Sequence, residues 1–139
     1  MHVRILSPIL SVLLAAASAH AGDLTVEVNI PAERQGAVRA AVFDKAEGFP
    51  RGTPLRTAVA LPVQGKATLQ FADLPAGDYA LTAFLDENSN NKLDSNLFGL
   101  PTEPYGFSRN ARSMAGPPPF ADASFRVEDG AQQHTFDLK

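Results

Sequence analysis

Asp78-Tyr79-Ala80-Leu81-Thr82-Ala83-Phe84-Leu85 (residues 78–85) is the most strand-like stretch of this sequence. Apolar residues occupy both alternating sets of positions, which is typical of a strand covered on both faces. We therefore predict a central strand here. Residues 86–94, Asp-Glu-Asn-Ser-Asn-Asn-Lys-Leu-Asp, follow directly and place oxygen-bearing side chains at positions 86, 88, 90 and 94.

Period-two alternation of apolar residues continues on both sides of this strand, whereas helical periodicity is nearly absent. Six further strands are predicted, over 24–30, 38–43, 57–63, 66–71, 124–127 and 134–138. Gln64-Gly65 has the composition of a two-residue hairpin turn. Seven short strands separated by Gly- and Pro-rich turns predict an all-β domain, a single antiparallel β-sandwich of Greek-key type.

Residues 86–123 interrupt this pattern, because no strand or helix is evident in them. A connection of this length inside a compact domain is usually either functional or disordered. Disordered segments are poor in aromatic residues, but this one contains Tyr105, Phe107 and Phe120 among other apolar residues. We therefore expect one long ordered loop that covers an end or a face of the sandwich.

The first 21 residues have the three-part design of a secretory signal peptide. A basic start at Arg4 is followed by an apolar stretch over 5–17 and by Ala19-His20-Ala21, which fits the small-x-small cleavage rule. The apolar stretch is shorter than the about 20 residues of a membrane-spanning helix. We expect a signal peptide over 1–21, one domain over 22–139, no membrane span, and a periplasmic or secreted location in a bacterium.

Composition narrows the class of partner. The sequence has 15 acidic and 12 basic residues and no cysteine. A mildly acidic chain is a poor match for nucleic acid or for an anionic membrane. An exported protein without disulfides is held together by packing, or by packing and a metal ion. We expect a protein or small-molecule partner, whose identity the sequence does not give.

Residues 86–94 align with the start of the calcium-loop template D-x-[DN]-x-[DN]-G. Asp86, Asn88 and Asn90 take the first, third and fifth positions. Lys92 would supply a backbone carbonyl at the seventh position, and Asp94 falls at the ninth. Alternating short oxygen-bearing side chains in a tight loop suit Ca²⁺, which takes six to eight oxygen ligands.

The match departs from an EF-hand in two respects. The twelfth position, normally a bidentate Glu, is Leu97, and a strand precedes the loop instead of a helix. Glu103 is the best remote carboxylate to complete the site, and Asp44 and Asp73 are weaker candidates. Asn91 replaces the usual Gly, which is tolerable because Asn enters the left-handed region readily. The alternative is a loop of Asx turns that bonds only its own backbone.

A second cluster of polar and aromatic residues lies in the long loop. One interpretation is a ligand-binding patch, with Tyr105 as a stacking platform beside Phe107 and Asn110, and with Arg109 as an anion contact. The other is that the aromatic rings pack the loop onto the sheet, while Arg109 pairs with Glu103 or with a loop carbonyl. We favour packing, because such rings more often serve as anchors.

No residue pattern predicts an enzyme. The carboxylates Asp86, Asp94 and Glu103 could serve glycoside hydrolysis, but a domain this small has little material for a deep cleft. Ser108 lacks a G-x-S-x-G context, and His134 begins a terminal strand, so no nucleophile–base pair is evident. We expect a non-enzymatic binding or structural module with a Ca²⁺-stabilised loop. The alternative is a small-ligand carrier that uses residues 98–120, and a hydrolase ranks last.

Three stretches together resemble the DUF2141 family, small exported bacterial proteins of unknown function. They are residues 71–80 (FADLPAGDYA), residues 86–94, and residues 98–111 (FGLPTEPYGFSRNA). In that family the residue after the second loop Asn is usually Gly, so Asn91 departs from the pattern. The resemblance implies a prealbumin-like or immunoglobulin-like sandwich. The sequence also resembles repeat domains of bacterial surface proteins, some of which hold structural calcium in such loops, and the family implies no activity.

Overall fold

The computed structural model describes residues 21–139. These residues are mostly β-structure, with one 3₁₀ turn at Ser108–Asn110 and one short helix, α1, at Phe120–Ala123. The eight strands are β1 (Ala21–Asn29), β2 (Ala37–Phe43), β3 (Arg56–Ala60), β4 (Lys66–Pro75), β5 (Gly77–Asp86), β6 (Tyr105–Phe107), β7 (Phe125–Val127) and β8 (Gly130–Asp137). The predicted signal peptide lies outside the described residues, except that Ala21 begins β1.

The strands form two sheets. One has the order β4-β1-β8, and the other has the order β3-β2-β5-β6, with β7 also paired to β5. The pairings are antiparallel except for that of β1 with β8, which is parallel. The expected seven antiparallel strands are therefore corrected to eight strands with one parallel pair. The parallel pair arises because β8 enters its sheet from β7, in the other sheet, so no hairpin fixes its direction.

The central position of β5 is confirmed. It pairs with β2 along one edge and with β6 and β7 along the other. Its inward side chains share a single buried cluster with those of the other sheet: Tyr79, Leu81, Ala83 and Leu85 from β5, and Leu24, Val26, Val28, Leu69, Phe71 and Phe136 from β1, β4 and β8. Burial of apolar area in this shared core is the main stabilising contribution.

The outward face of β5 is covered in part by the long connection. Phe107 packs edge-on against Phe49, and the Phe49 ring also contacts Phe43 and Phe120. The expectation of a segment without strand or helix is corrected, because the connection contains β6, the 3₁₀ turn and α1. Elements of three and four residues are too short to show a periodic pattern. Phe84, which fits a core position by pattern, lies on this outward face and is half-buried.

The predicted hairpin at Gln64-Gly65 forms a tight turn but not a two-stranded ribbon. Both residues have positive φ angles, and Val63 and Lys66 exchange backbone hydrogen bonds across the turn. However, β3 ends at Ala60 instead of residue 63, and β3 and β4 belong to different sheets. The turn therefore carries the chain from one sheet to the other.

Two glycines allow close backbone approaches, one beside residues 86–94, which we call the candidate loop, and one beside β6. A Cβ at Gly36 would lie 2.5 Å from the carbonyl oxygen of Asp86, at the end of β5. A Cβ at Gly106 would lie 2.3 Å from the carbonyl oxygen of Asp137. Because Gly106 has no side chain, β6 can lie against the C-terminal residues, where Tyr105 and Lys139 exchange backbone hydrogen bonds of 3.1 and 3.0 Å.

Candidate functional site

The candidate site begins where β5 leaves its sheet. Asp86 is the last residue of β5 and is only 2% exposed. Arg39, on the neighbouring strand β2, donates from Nε to Oδ2 of Asp86 at 2.8 Å. The same guanidinium donates to the side-chain oxygen of Asn91. A cation of the protein therefore stands beside the first predicted metal ligand.

Asp86 also organises the backbone that follows it. Its Oδ1 accepts the N–H of Asn90 at 3.2 Å, and its Oδ2 accepts the N–H of Asn91 at 3.0 Å. The Arg39 hydrogen bond, helped by these two backbone donors, holds the pKa of Asp86 below its ordinary value. The carboxylate is therefore ionised at neutral pH and fixes the turn from inside.

Three of the predicted ligand side chains converge on one another. Nδ2 of Asn90 donates to Oδ1 of Asp94 at 2.7 Å, and Nδ2 of Asn88 donates to Oδ2 of the same carboxylate. The side-chain oxygens of Asn88 and Asn90 accept backbone N–H groups two residues ahead, at 3.3 and 3.2 Å, in Asx turns. Lys92 supplies one of those N–H donors, and it is exposed.

Glu103 joins the two ends of the loop. Its Oε1 accepts the N–H of Glu87 at 2.9 Å, and its Oε2 accepts the N–H of Asp94 at 3.0 Å. The side chain is only 6% exposed. The remote carboxylate predicted as a ligand thus holds backbone amides directly. Asp44 and Asp73 line a separate cleft that includes none of the loop residues.

The departure from Gly at position 91 is accommodated as expected. Asn91 has a φ angle of +67°, in the left-handed region, and Ser89 has a φ angle of +59°. Two positive φ angles within three residues make a compact turn. Arg34 contacts the same loop at Glu87, where its Nε donates to the carboxylate at 2.7 Å, and this hydrogen bond lowers the pKa of Glu87.

The aromatic segment is tied to the sheets by its own polar groups. Ser108 is fully buried: its Oγ accepts the N–H of Leu81 at 2.9 Å and donates to the carbonyl of Ala123 at 2.5 Å. Asn110 accepts the N–H of Asp137 through its side-chain oxygen at 2.8 Å. These bonds anchor the segment to β5, α1 and β8.

Arg109 is fixed by β8 instead of by Glu103. Its backbone N–H donates to Nε2 of His134 at 3.1 Å, and its guanidinium lies 3.4 Å from the carbonyl of Ser124. The His134 ring stacks on Phe125, with 4.1 Å between ring centroids. His134 and Arg39 are the structural residues of this region that sequence reasoning missed. A single charge within the apolar strand of residues 37–43 was the available signal for Arg39.

Two clefts border the predicted ligand patch. Tyr105, Phe107 and Asn110 line one of about 80 Å³, well below the roughly 300–1,000 Å³ of ligand pockets. A wider, open groove of about 680 Å³ includes Tyr105 together with Ile30 and Arg34. Phe107 is buried and edge-on to Tyr105, which is half-buried. The four predicted residues therefore do not line one ligand-sized cavity.

Residues 21–139 lack two further kinds of feature. No three His, Asp or Glu side chains gather there as they would around a metal ion. Across the same range, no helix has the length and apolar character needed to traverse a bilayer. The candidate loop therefore offers two carboxylates and two amides as side-chain donors, together with backbone carbonyls.

Comparison with known proteins identifies a family. No curated protein and no solved structure matches the chain. One family model does, over residues 26–135, and it is described as uncharacterized protein conserved in bacteria. The matched range includes the candidate loop, Arg39 and the segment around Tyr105, so it spans nearly all of the described fold. The chain belongs to the DUF2141 family.

Proposed function

We propose that this protein is an exported, non-enzymatic binding module of β-sandwich type whose loop over 86–94 holds Ca²⁺. One observation carries the proposal: Asn88 and Asn90 direct their amides at the two oxygens of Asp94. The side chains at positions 88, 90 and 94 therefore converge in space. A module that binds through an ordered loop requires no catalytic residue.

The donor set fits a weak calcium site. Asp94, Asn88, Asn90 and the Lys92 carbonyl would hold the ion, with Oδ1 of Asp86 as a further oxygen. For this, the two Asn amides would rotate and present oxygen where they now present nitrogen. Hard oxygen donors suit Ca²⁺ and disfavour the softer transition metals. Arg39 remains on the far oxygen of Asp86 and reduces the negative charge available to an ion.

The expected affinity for calcium follows from the small number of charged ligands and from the proposed location outside the cytoplasm. Extracellular calcium modules have dissociation constants of about 10⁻⁴–10⁻³ M. For a constant of about 1 mM, 10 mM calcium would add roughly 1.4 kcal/mol to the free energy of unfolding. The unfolding entropy is about 2.1 cal/mol/K per residue, so a domain of this size would gain about 5 °C in melting temperature.

Thermal melts with 10 mM calcium and with EDTA test the proposal. The wild type should melt about 5 °C higher in calcium. Asp94→Asn removes one ligand charge without changing the side-chain size, and it should abolish most of this increase. Asp122→Asn makes the same chemical change at an exposed position of helix α1 and should leave the increase intact. A wild-type melting temperature that is constant across millimolar calcium would exclude the ion.

The wide groove supports a small-ligand carrier as the second candidate. Its volume of about 680 Å³ falls within the range of ligand pockets, and Arg34 and Tyr105 supply polar and aromatic contacts. Tyr105→Ala should abolish small-molecule thermal shifts if the groove binds a ligand. Shifts that survive this substitution would place the ligand elsewhere.

A further inference from the structure

The outermost part of the long connection is an apolar tip, which we define as residues 95–101. Leu97 is fully exposed, Phe98 is 87% exposed and Leu100 is 61% exposed. Three large apolar side chains within four residues form a local patch of the kind that marks an interaction site. None of them belongs to either hydrophobic cluster of the described fold.

Several backbone groups of the apolar tip are hydrogen-bonded within the tip. The side-chain oxygen of Asn96 accepts the N–H of Phe98 at 2.9 Å and that of Leu100 at 3.1 Å. Asn96 and Leu100 are also joined by a backbone bond of 2.9 Å, and the N–H of Gly99 donates to the Asn96 carbonyl at 3.0 Å. Four of the five N–H groups from residue 96 to residue 100 therefore have partners within the tip, which lowers the cost of moving this part of the turn out of water.

Backbone hydrogen bonds also join the two ends of the apolar tip, where the chain leaves and returns to the fold. The N–H of Thr102 donates to the carbonyl of Asp94 at 2.9 Å, and Ser95 and Pro101 form a β-bridge. Pro101 has no N–H that would need a partner. The chain therefore leaves and re-enters the body of the protein through a closed pair, and the apolar side chains project from a rigid turn.

The charge and the size of the apolar tip indicate which kind of partner it can bind. Residues 95–102 contain no charged side chain, so nothing in them must be desolvated at high cost. A stable protein interface buries about 800 Å² per partner, more than three projecting side chains supply. Phe and Leu side chains on a small projection instead suit the boundary between lipid headgroups and acyl chains. The acidic balance of the chain favours neutral over anionic lipid.

We propose that the apolar tip inserts into the interfacial region of a zwitterionic lipid bilayer and attaches the protein to the membrane surface reversibly. This goes beyond the proposed function and needs no ion, because each bond that shapes the tip joins residues within 94–102. The side chain of Asn96 helps to shape the turn, since its oxygen accepts the N–H groups of Phe98 and Leu100.

Sedimentation with phosphatidylcholine vesicles tests the proposal directly. The triple variant Leu97→Ser, Phe98→Ser, Leu100→Ser should lose at least about tenfold in partition coefficient relative to wild type. Both proteins are prepared identically, so any contribution from residues 1–21 cancels. The control is Leu61→Ser with Val63→Ser, which alters two exposed apolar residues outside the tip and should bind like wild type.

A local reporter complements the binding assay. The sequence has no Trp, so Phe98→Trp provides a single fluorophore at the tip. Its emission should shift to the blue when vesicles are added, and brominated lipid should quench it. Unchanged emission, or a triple variant that still sediments with vesicles, would overturn the proposal. A dimer that the triple variant loses would assign the tip to a second copy of the chain instead, and would overturn it as well.

Discussion

Glu103→Gln should lower the free energy of unfolding by about 2–4 kcal/mol. The buried carboxylate accepts the backbone N–H groups of Glu87 and Asp94 at 2.9 and 3.0 Å. A hydrogen bond to a charged group contributes about 1.5–3 kcal/mol, and a buried donor left unpaired costs about 1–3 kcal/mol. Gln keeps one acceptor oxygen but turns an NH₂ donor toward the second N–H, so one bond weakens and the other is lost.

Urea denaturation followed by circular dichroism measures this loss. With an unfolding entropy of about 2.1 cal/mol/K per residue, the melting temperature should fall by roughly 8–16 °C. Hydrogen exchange supplies the local readout, because the amides of Glu87 and Asp94 should lose protection before the core amides do. Glu47→Gln makes the same change on an exposed loop and should leave both measurements at their wild-type values.

Measuring the variant in EDTA and in calcium separates two roles of Glu103. If the carboxylate serves to hold backbone amides, the loss of stability is the same under both conditions. A loss of stability seen only in calcium would show that Glu103 is a metal ligand, as the sequence predicted, and would contradict the role of holding the two backbone amides. A variant within about 0.5 kcal/mol of wild type under both conditions would refute the energetic reasoning altogether.

Two further predictions concern Ser108 and His134, which hold the segment after β6 in place. Ser108→Ala should lower the free energy of unfolding, measured by urea denaturation, by about 1–3 kcal/mol, because it leaves the buried N–H of Leu81 without an acceptor. Burial, and secondarily Arg109, lowers the pKa of His134, so the unfolded chain binds this proton more readily than the folded protein. The stability that this contributes is present above about pH 6.5 and declines as the pH falls toward the lowered value. His134→Gln should flatten that part of the pH dependence of unfolding; an unchanged profile would exclude His134 as its source.

The sequence predicted features that depend on local pattern. The run over 78–85 identified the central strand because a strand that is buried on both faces is apolar at nearly every position. The spacing over 86–94 identified a compact loop because Asx side chains bond backbone groups only two residues away. The tolerance of Asn at position 91 followed from its own conformational preference, and the φ angle of +67° agrees.

Features that depend on distant partners could not be predicted. Arg39 reaches Asp86 because β2 and β5 pair in one particular register, with Ala37 opposite Asp86. The register of two strands that are distant in sequence cannot be read from a single sequence. The strand β6 has three residues, and its position depends on contact between Gly106 and the end of β8. The parallel pairing of β8 likewise depends on its entry from the other sheet.

The Arg39–Asp86 pair determines how an ion could act on this loop. Asp86 is already bonded by Arg39 and by the backbone N–H groups of Asn90 and Asn91, and Glu103 binds the N–H of Asp94, so protein groups alone can hold this turn. Calcium binding would then contribute only its own mass-action term, with no gain from folding a disordered segment. The guanidinium also weakens the attraction of Asp86 for a cation. A site of this kind fills only where calcium is near millimolar, which agrees with the exported location that we propose.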